Sequence, residues 1–359
     1  MPNLLTDPSA VLSRFGWTET LDNSFAEHRE AGLVPARIAR ADRGLCDAVT
    51  GSGPAWAALT ALYSPDPLLA PCTGDWAALR PGREPELVAL LPRHGAIVRS
   101  SASRTSQGQV LAANIDTVVV VVSLAAPLDA ARLERLLAIA WDSGARPLIV
   151  LTKADLATDP AAVHAEAGAP APGTDILVTS VATGQNIDAL TSLLSGTTVL
   201  LGSSGAGKSS LGNALLGDEL LAIGEVRGQD GKGRHTTVRR ELVPLPRGGV
   251  LIETPGLRAI SLYDAADGLE QVFAEIERLA RDCRFGDCSH DTEPGRAVRS
   301  AIQAGKLTER RLGSHHKLQR ENVWAASRAG ARLRGERTNR QKAITSRLRS
   351  TYKFRDQQS

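Results

Sequence analysis

Residues 202–209 read Gly-Ser-Ser-Gly-Ala-Gly-Lys-Ser, a GxxxxGK[ST] match set between the apolar run TTVLL at 197–201 and the helix-favouring run SSLGNALLG at 209–217. This stretch demands a strand, a tight glycine turn and a helix whose amino end faces a bound anion. Its glycines let consecutive backbone N–H groups turn toward phosphate oxygens. Gly202, Ser203, Ser204, Gly205, Ala206, Gly207 and Ser210 make the cradle. Lys208 is placed to neutralise the β- and γ-phosphates, and Ser209 to offer its hydroxyl to Mg2+. Such a loop needs a sheet around it. Apolar runs at 116–124, 147–151, 176–178, 198–201 and 249–252 alternate with helical patterns. They predict an α/β domain over 101–263, a parallel sheet with helices on both faces.

The flanks differ in texture. Between 32 and 98, short candidate strands (34–40, 45–49 and 87–91) are separated by Gly, Pro and Asp clusters. That spacing predicts a small β-barrel of the oligonucleotide-binding type, placed at 28–100. Residues 1–27 are weakly patterned and are expected to form a mobile or loosely docked extension. From 264 to 359 the chain reads as helical, broken by a Cys/His loop at 283–296. The longest strongly apolar stretch, Thr117–Leu128, has 12 residues, against about 20 for a membrane helix. The amino terminus lacks the basic start and apolar run of a secretory leader, so a cytoplasmic protein without membrane contact is expected. Four cysteines are too few for a disulfide framework in 359 residues. Charge is asymmetric: from Arg296 to Ser359, 17 Lys or Arg stand against four acids, leaving the rest at −10 within a total of +3. Such clustering points to nucleic-acid phosphates as a partner.

At the end of the run 147–151 stands Thr152-Lys153-Ala154-Asp155, which resembles the [NT]KxD signature of guanine-nucleotide-binding proteins. There the Asp carboxylate accepts both N–H donors of the guanine edge and the Lys stem lies along the base. Adenine lacks that donor pair and would leave the carboxylate unpaired. Ser180, Val181 and Ala182, after the run 176–178, resemble the second base-contacting loop. Downstream, the GRHTT sequence at 233–237 is a candidate first switch, with Thr236 or Thr237 reaching Mg2+ and the γ-phosphate and His235 a candidate catalytic neighbour. The run 250–256 resembles the second switch, DxxG, with Glu253 in place of the usual aspartate as the Mg2+-side acid and Gly256 facing the γ-phosphate. Leu257 follows, where many GTPases carry a water-orienting glutamine, which predicts slow intrinsic turnover. The base-reading loops precede the phosphate loop, and the switches follow it. Because these loops need only meet at the carboxyl ends of parallel strands, the order reads as a circularly permuted GTPase.

Motif order, the barrel-like front, GDW at 74–76, LPRHG at 91–95, QVLAANIDT at 109–117, GRHTT, and CRFGDCSHDTEPG at 283–295 together carry a further likeness. From about residue 32 to about 325 the chain resembles the ribosome small-subunit-dependent GTPase A (RsgA/YjeQ) family. The resemblance implies a monomeric late assembly factor that binds the 30S ribosomal subunit and 16S rRNA and leaves after ribosome-stimulated GTP hydrolysis. It also implies a zinc loop, C-x4-C-x-H-x5-C, for which Cys283, Cys288 and His290 are at matching spacing. The fourth position is Arg296, which cannot ligate zinc. Asp291, Glu293, His315, His316 or a water stay open as replacements, as does loss of the metal. Glu253, Leu257 and Arg296 also keep a second reading open, a non-enzymatic, nucleotide-gated RNA-binding clamp on a ribosomal particle.

Overall fold

The computed structural model describes residues 8–100, 108–217, 241–253, 262–263, 265–283 and 297–326. Strands β1 (Val34–Ala41), β2 (Leu45–Thr50), β3 (Gly53–Ala58), β4 (Trp76–Arg80) and β5 (Glu86–Leu90) form a closed barrel in the order β1-β2-β3-β5-β4. Alternation puts Ala36, Ile38, Ala48, Ala57, Leu79 and Leu87 inside, where small residues suit a narrow interior. β3 and β4 escape sequence patterning because five of the eleven residues in GPAWAA and WAALR are alanine, a weak strand former.

Residues 8–30 are docked firmly, unlike the loose extension expected over 1–27. Helices α1 (Pro8–Arg14), α2 (Glu19–Ser24) and α3 (Ala26–Glu30) are too short to show a helical period. They are held instead by large apolar anchors. Leu12 and Phe25 are buried with Trp76 on the outside of the barrel, and Trp17 meets Trp76 edge-on at 4.8 Å.

After the barrel, β6 (Ala96–Ser100) pairs with β7 (Gly108–Ala113) in a separate two-stranded sheet. Ile97 and Leu111 join the core of the domain that follows. That domain is built on β8 (Thr117–Ser123), α4 (Ala130–Asp142), β9 (Arg146–Thr152), α5 (Pro160–Gly168), β10 (Asp175–Val178), α6 (Ile187–Leu193), β11 (Thr197–Gly202), α7 (Lys208–Leu216), β12 (Glu241–Pro244) and β13 (Val250–Glu253). Its sheet runs β10-β9-β8-β11-β13-β12, parallel except for the antiparallel edge strand β12. The valine run of β8 is buried on both faces: Val118 and Val120 enter one core, Val119 and Val121 the other. The chain enters the sheet at β8, builds outward through β9 and β10, then returns to β8's other side with β11, so a topological switch point lies between β8 and β11.

The described C-terminal part comprises α8 (Ala266–Val272), α9 (Ala274–Arg281), α10 (Ala297–Gln303) and α11 (309–326). α8 lies so close across α4 that a Cβ on Gly268 would overlap the carbonyl of Ala138. Glu134 of α4, fully buried, accepts hydrogen bonds from Arg310 (2.9 Å), Arg311 (2.8 Å) and Ser314 of α11. Arg311 also reaches Glu275 at 2.7 Å and lies over the Phe273 ring at 4.4 Å. Arg135 forms a two-pronged pair with Glu321 at 2.9 and 2.6 Å.

Candidate functional site

The phosphate loop follows β11 as the sequence requires. Gly202, Gly205 and Gly207 have φ of +158°, +75° and +91°. A Cβ on Gly202 would overlap the Val121 carbonyl, so the residue is fixed by close approach of two strands. Lys208 opens α7, and its ammonium donates to the carbonyls of Gly202 (2.9 Å) and Ser203 (2.7 Å). Ser209 and Ser210 occupy the next positions of that first turn, where their N–H groups have no partner within the helix.

β9 delivers Thr152, Lys153 and Asp155 to the same place. Thr152, buried, donates to the Ala206 carbonyl at 2.6 Å, and Lys153 donates to the Gly205 carbonyl at 2.8 Å. Lys153 adopts φ +60°, a left-handed conformation that turns the chain sharply out of the strand. β10 supplies the third loop. Ala154 N donates to the Thr179 carbonyl at 3.1 Å, and Thr179 N to the Leu151 carbonyl at 2.7 Å, which ties the two strand ends together. Ser180 donates to the Asp155 carboxylate at 2.5 Å and accepts from Thr183 N at 3.3 Å.

These loops enclose a cleft of about 760 Å³, lined among others by Lys153, Asp155, Val181, Ala182, Gly207 and Ser210. Its size suits a nucleotide-sized ligand. Leu156 and Val181 line it as exposed apolar side chains. Asp155 lines the cleft with one oxygen already engaged by Ser180, which orients its carboxylate as an acceptor for paired N–H donors. Leu156, Asn213, Ala214 and Gly217 also line the cleft and were missed in sequence reasoning. The α7 spacing of 210, 213, 214 and 217 to one helix face is the signal that would have found three of these four.

Glu253 ends β13, and its side chain lies outside the described residues. His235, Thr236, Thr237, Gly256 and Leu257 also lie outside them, as do Cys288, His290, Asp291, Glu293 and Arg296. Cys283 follows α9, and its thiol faces the Leu279 carbonyl at 3.9 Å. Among the described residues no group of three or more His, Cys, Asp and Glu is placed to hold a metal ion. His315, considered above as a fourth zinc ligand, is buried against the Phe273 ring at 5.0 Å with its Nε2 3.1 Å from Glu277.

Comparison with known proteins agrees with this geometry. Residues 90–263 match the family described as RsgA GTPase. The protein of Streptomyces coelicolor named small ribosomal subunit biogenesis GTPase RsgA is 52% identical over 333 residues, covering 91% of each chain. Its namesake from Streptomyces avermitilis is 49% identical, covering 94% of this chain and 92% of that one. Among solved structures, YjeQ from Thermotoga maritima shares the fold with a TM-score of 0.59 at 22% identity, over 81% of this chain and 99% of that one. YloQ, described as a circularly permuted GTPase, also gives 0.59 at 22% identity, over 80% and 94%. A parallel sheet that brings the 152–155 and 180–182 loops beside the 202–209 loop that follows them in sequence, with relatives about half identical over nine-tenths of its length, shows that the chain belongs to the RsgA GTPase family.

Proposed function

We propose that this chain binds GTP in the cleft between the 152–155 and 202–209 loops and hydrolyses it while assisting maturation of the small ribosomal subunit in the cytoplasm. The observation that carries the reading is the pair of hydrogen bonds from Thr152 to Ala206 and from Lys153 to Gly205. They join two motifs, one a base reader by type and one a phosphate cradle, into one wall of a single cleft. Asp155, Ser180, Val181 and Ala182 then receive the guanine edge, and Gly202 to Ser210 the phosphates. In this site Lys208 exchanges its loop carbonyls for the β- and γ-phosphates, while the first-turn N–H groups of α7 supply further donors. Mg2+ fits the donor set: the Ser209 hydroxyl beside the cradle and the acid at the end of β13 are hard oxygen ligands. Bound there, it would neutralise charge developing on the phosphates.

The relatives' names support the small subunit as partner, and the +13 balance of residues 296–359 supports contact with 16S rRNA. We assign the barrel to residues 28 to about 91, drawing the border earlier than 100 because Ile97 belongs to the sheet's core. The remaining parts are the permuted GTPase domain to about 263 and the helical module from 264, all acting as a monomer. Zinc bound by Cys283, Cys288 and His290 belongs to the same reading, with the fourth ligand to come from Asp291, Glu293, His315, His316 or a water. Metal analysis of protein purified without chelators tests it, and under about a tenth of an equivalent removes zinc from the account.

The test of function is multiple-turnover phosphate release from GTP with and without 30S subunits. Slow turnover alone and marked stimulation by subunits are expected. Absence of turnover in both conditions would favour a nucleotide-gated clamp, and rapid turnover without subunits would refute ribosome control.

A further inference from the structure

Three sequence stretches that carry no nucleotide chemistry, 74–76, 91–95 and 109–117, converge on one seam between the barrel and the amino ends of β8 and β11. At its centre is Arg37 of β1, 1% exposed. Its guanidinium lies 4.7 Å over the Trp76 ring and donates to Thr197 Oγ1 at 2.8 Å and to the Asn114 carbonyl at 3.4 Å. On one side Asp75, fully buried, accepts from Arg93 through both oxygens at 2.7 Å and from Cys72 N at 2.8 Å. On the other, Asp116 accepts from Thr197 N at 2.6 Å and lies 3.3 Å from His94 Nε2. Asn114, at φ +55°, donates to the Gly74 carbonyl at 2.9 Å and accepts from His94 N at 3.2 Å.

The result is a row of groups, Arg93, Asp75, Arg37, Asp116 and His94, crossing from barrel to sheet. Backbones touch around it. A Cβ on Gly74 would overlap the Ala113 carbonyl, one on Gly196 would overlap the Asp116 carboxylate, and one on Gly95 would sit 2.6 Å from the Ser143 carbonyl. Sliding the barrel on the sheet would strand a buried arginine between carboxylates that hold other partners, which is strongly unfavourable. The seam and the nucleotide cleft lie at opposite ends of β11, six residues long.

We propose that the Arg37 seam makes the barrel and the nucleotide sheet one cooperative folding unit, so that guanine nucleotide bound at the far end of β11 stabilises the barrel. By reciprocity, whatever partner the barrel holds is linked to the nucleotide without contact between them. This rests on the GTP-binding reading.

Hydrogen exchange followed by mass spectrometry on the full chain, with and without GDP, tests both. At GDP about 100 times its dissociation constant, amides that exchange only by opening of the whole unit slow by about 100-fold. Slowing at peptides of 197–217 together with peptides of β1 and β4 is expected in the wild type. Arg37→Lys, which keeps the charge but loses the planar fork, should leave the slowing at 197–217 and reduce it at least about tenfold in the barrel. Thr197→Val, a milder change that removes one acceptor, should move the barrel in the same direction, and it serves where Arg37→Lys does not fold. Protection at 197–217 with an indifferent barrel in the wild type overturns the seam and leaves GTP binding standing. Barrel protection unchanged in both variants also overturns it. No protection at 197–217 overturns the nucleotide reading and the coupling with it.

Discussion

Lys208 and Asp155 carry opposite ends of the proposed ligand, and their variants should fail differently. Lys208→Ala removes the one cation of the phosphate loop and should cost at least about 100-fold in turnover, read by phosphate release. Asp155→Asn keeps the shape but turns one acceptor into a donor. It should cost about 2 kcal/mol of GDP affinity by calorimetry and narrow the preference over adenine nucleotides. GTP affinity unchanged from the wild type in both variants would place the site elsewhere. Asp116 is a carboxylate whose charge ties stability to pH. Burial pushes its carboxyl up, but hydrogen bonds from His94 and the Thr197 amide, with the positive charges of His94 and Arg37, outweigh this and hold it below its ordinary 3.8. Its contribution is therefore complete above that value and lost as pH falls through the lower folded-state value. Asp116→Asn should flatten the fall of the denaturation midpoint between about pH 5 and pH 3. Arg37, pushed down to about 10 by burial in spite of Asp116 and Asp75, stays charged across that range.

Among elements, α4 joins the nucleotide sheet to the C-terminal helices, because its inward face carries a carboxylate. Glu134→Ala would leave buried Arg311, 5% exposed, with Glu275 as its remaining carboxylate and take the acceptor from Arg310 and Ser314. It should cost about 3–5 kcal/mol in thermal or denaturant unfolding. Replacing both partners, as in Glu134→Leu with Arg311→Met, should recover much of that loss. Recovery of nothing would show that the pair acts through other contacts. The sequence makes some elements plain and hides others for physical reasons. β8 is legible because five consecutive valines between Thr117 and Ser123 suit only a strand buried on both faces. β12 is not, because a four-residue edge strand ending in proline carries no period. The α4–α11 clasp is invisible in sequence because its partners stand 176 to 186 residues apart. A glutamate among Leu133, Leu136 and Leu137 was the only local hint.

At the scale of the whole molecule, the nucleotide loops were readable because each is a short motif at a strand end. Their meeting was inferred from order alone, and the hydrogen bonds from 152–153 to 205–206 show how it is achieved. The basic carboxyl end is a matter of composition. Residues 327–359 carry ten Lys or Arg against two acids. Deleting them should weaken binding to 30S subunits and lower the slope of log affinity against log salt by about 0.7–0.9 for each phosphate no longer neutralised. An unchanged slope would mean that the tail does not touch RNA. The entry of the chain into its sheet at the central strand has a consequence for synthesis. A polypeptide still emerging from the ribosome displays its purine-reading turns well before the phosphate-holding turn exists, and β8 waits with one flank bare until β11 arrives. On the proposed site, a nascent chain holds no complete nucleotide cleft until β11 and the turn after it have been made.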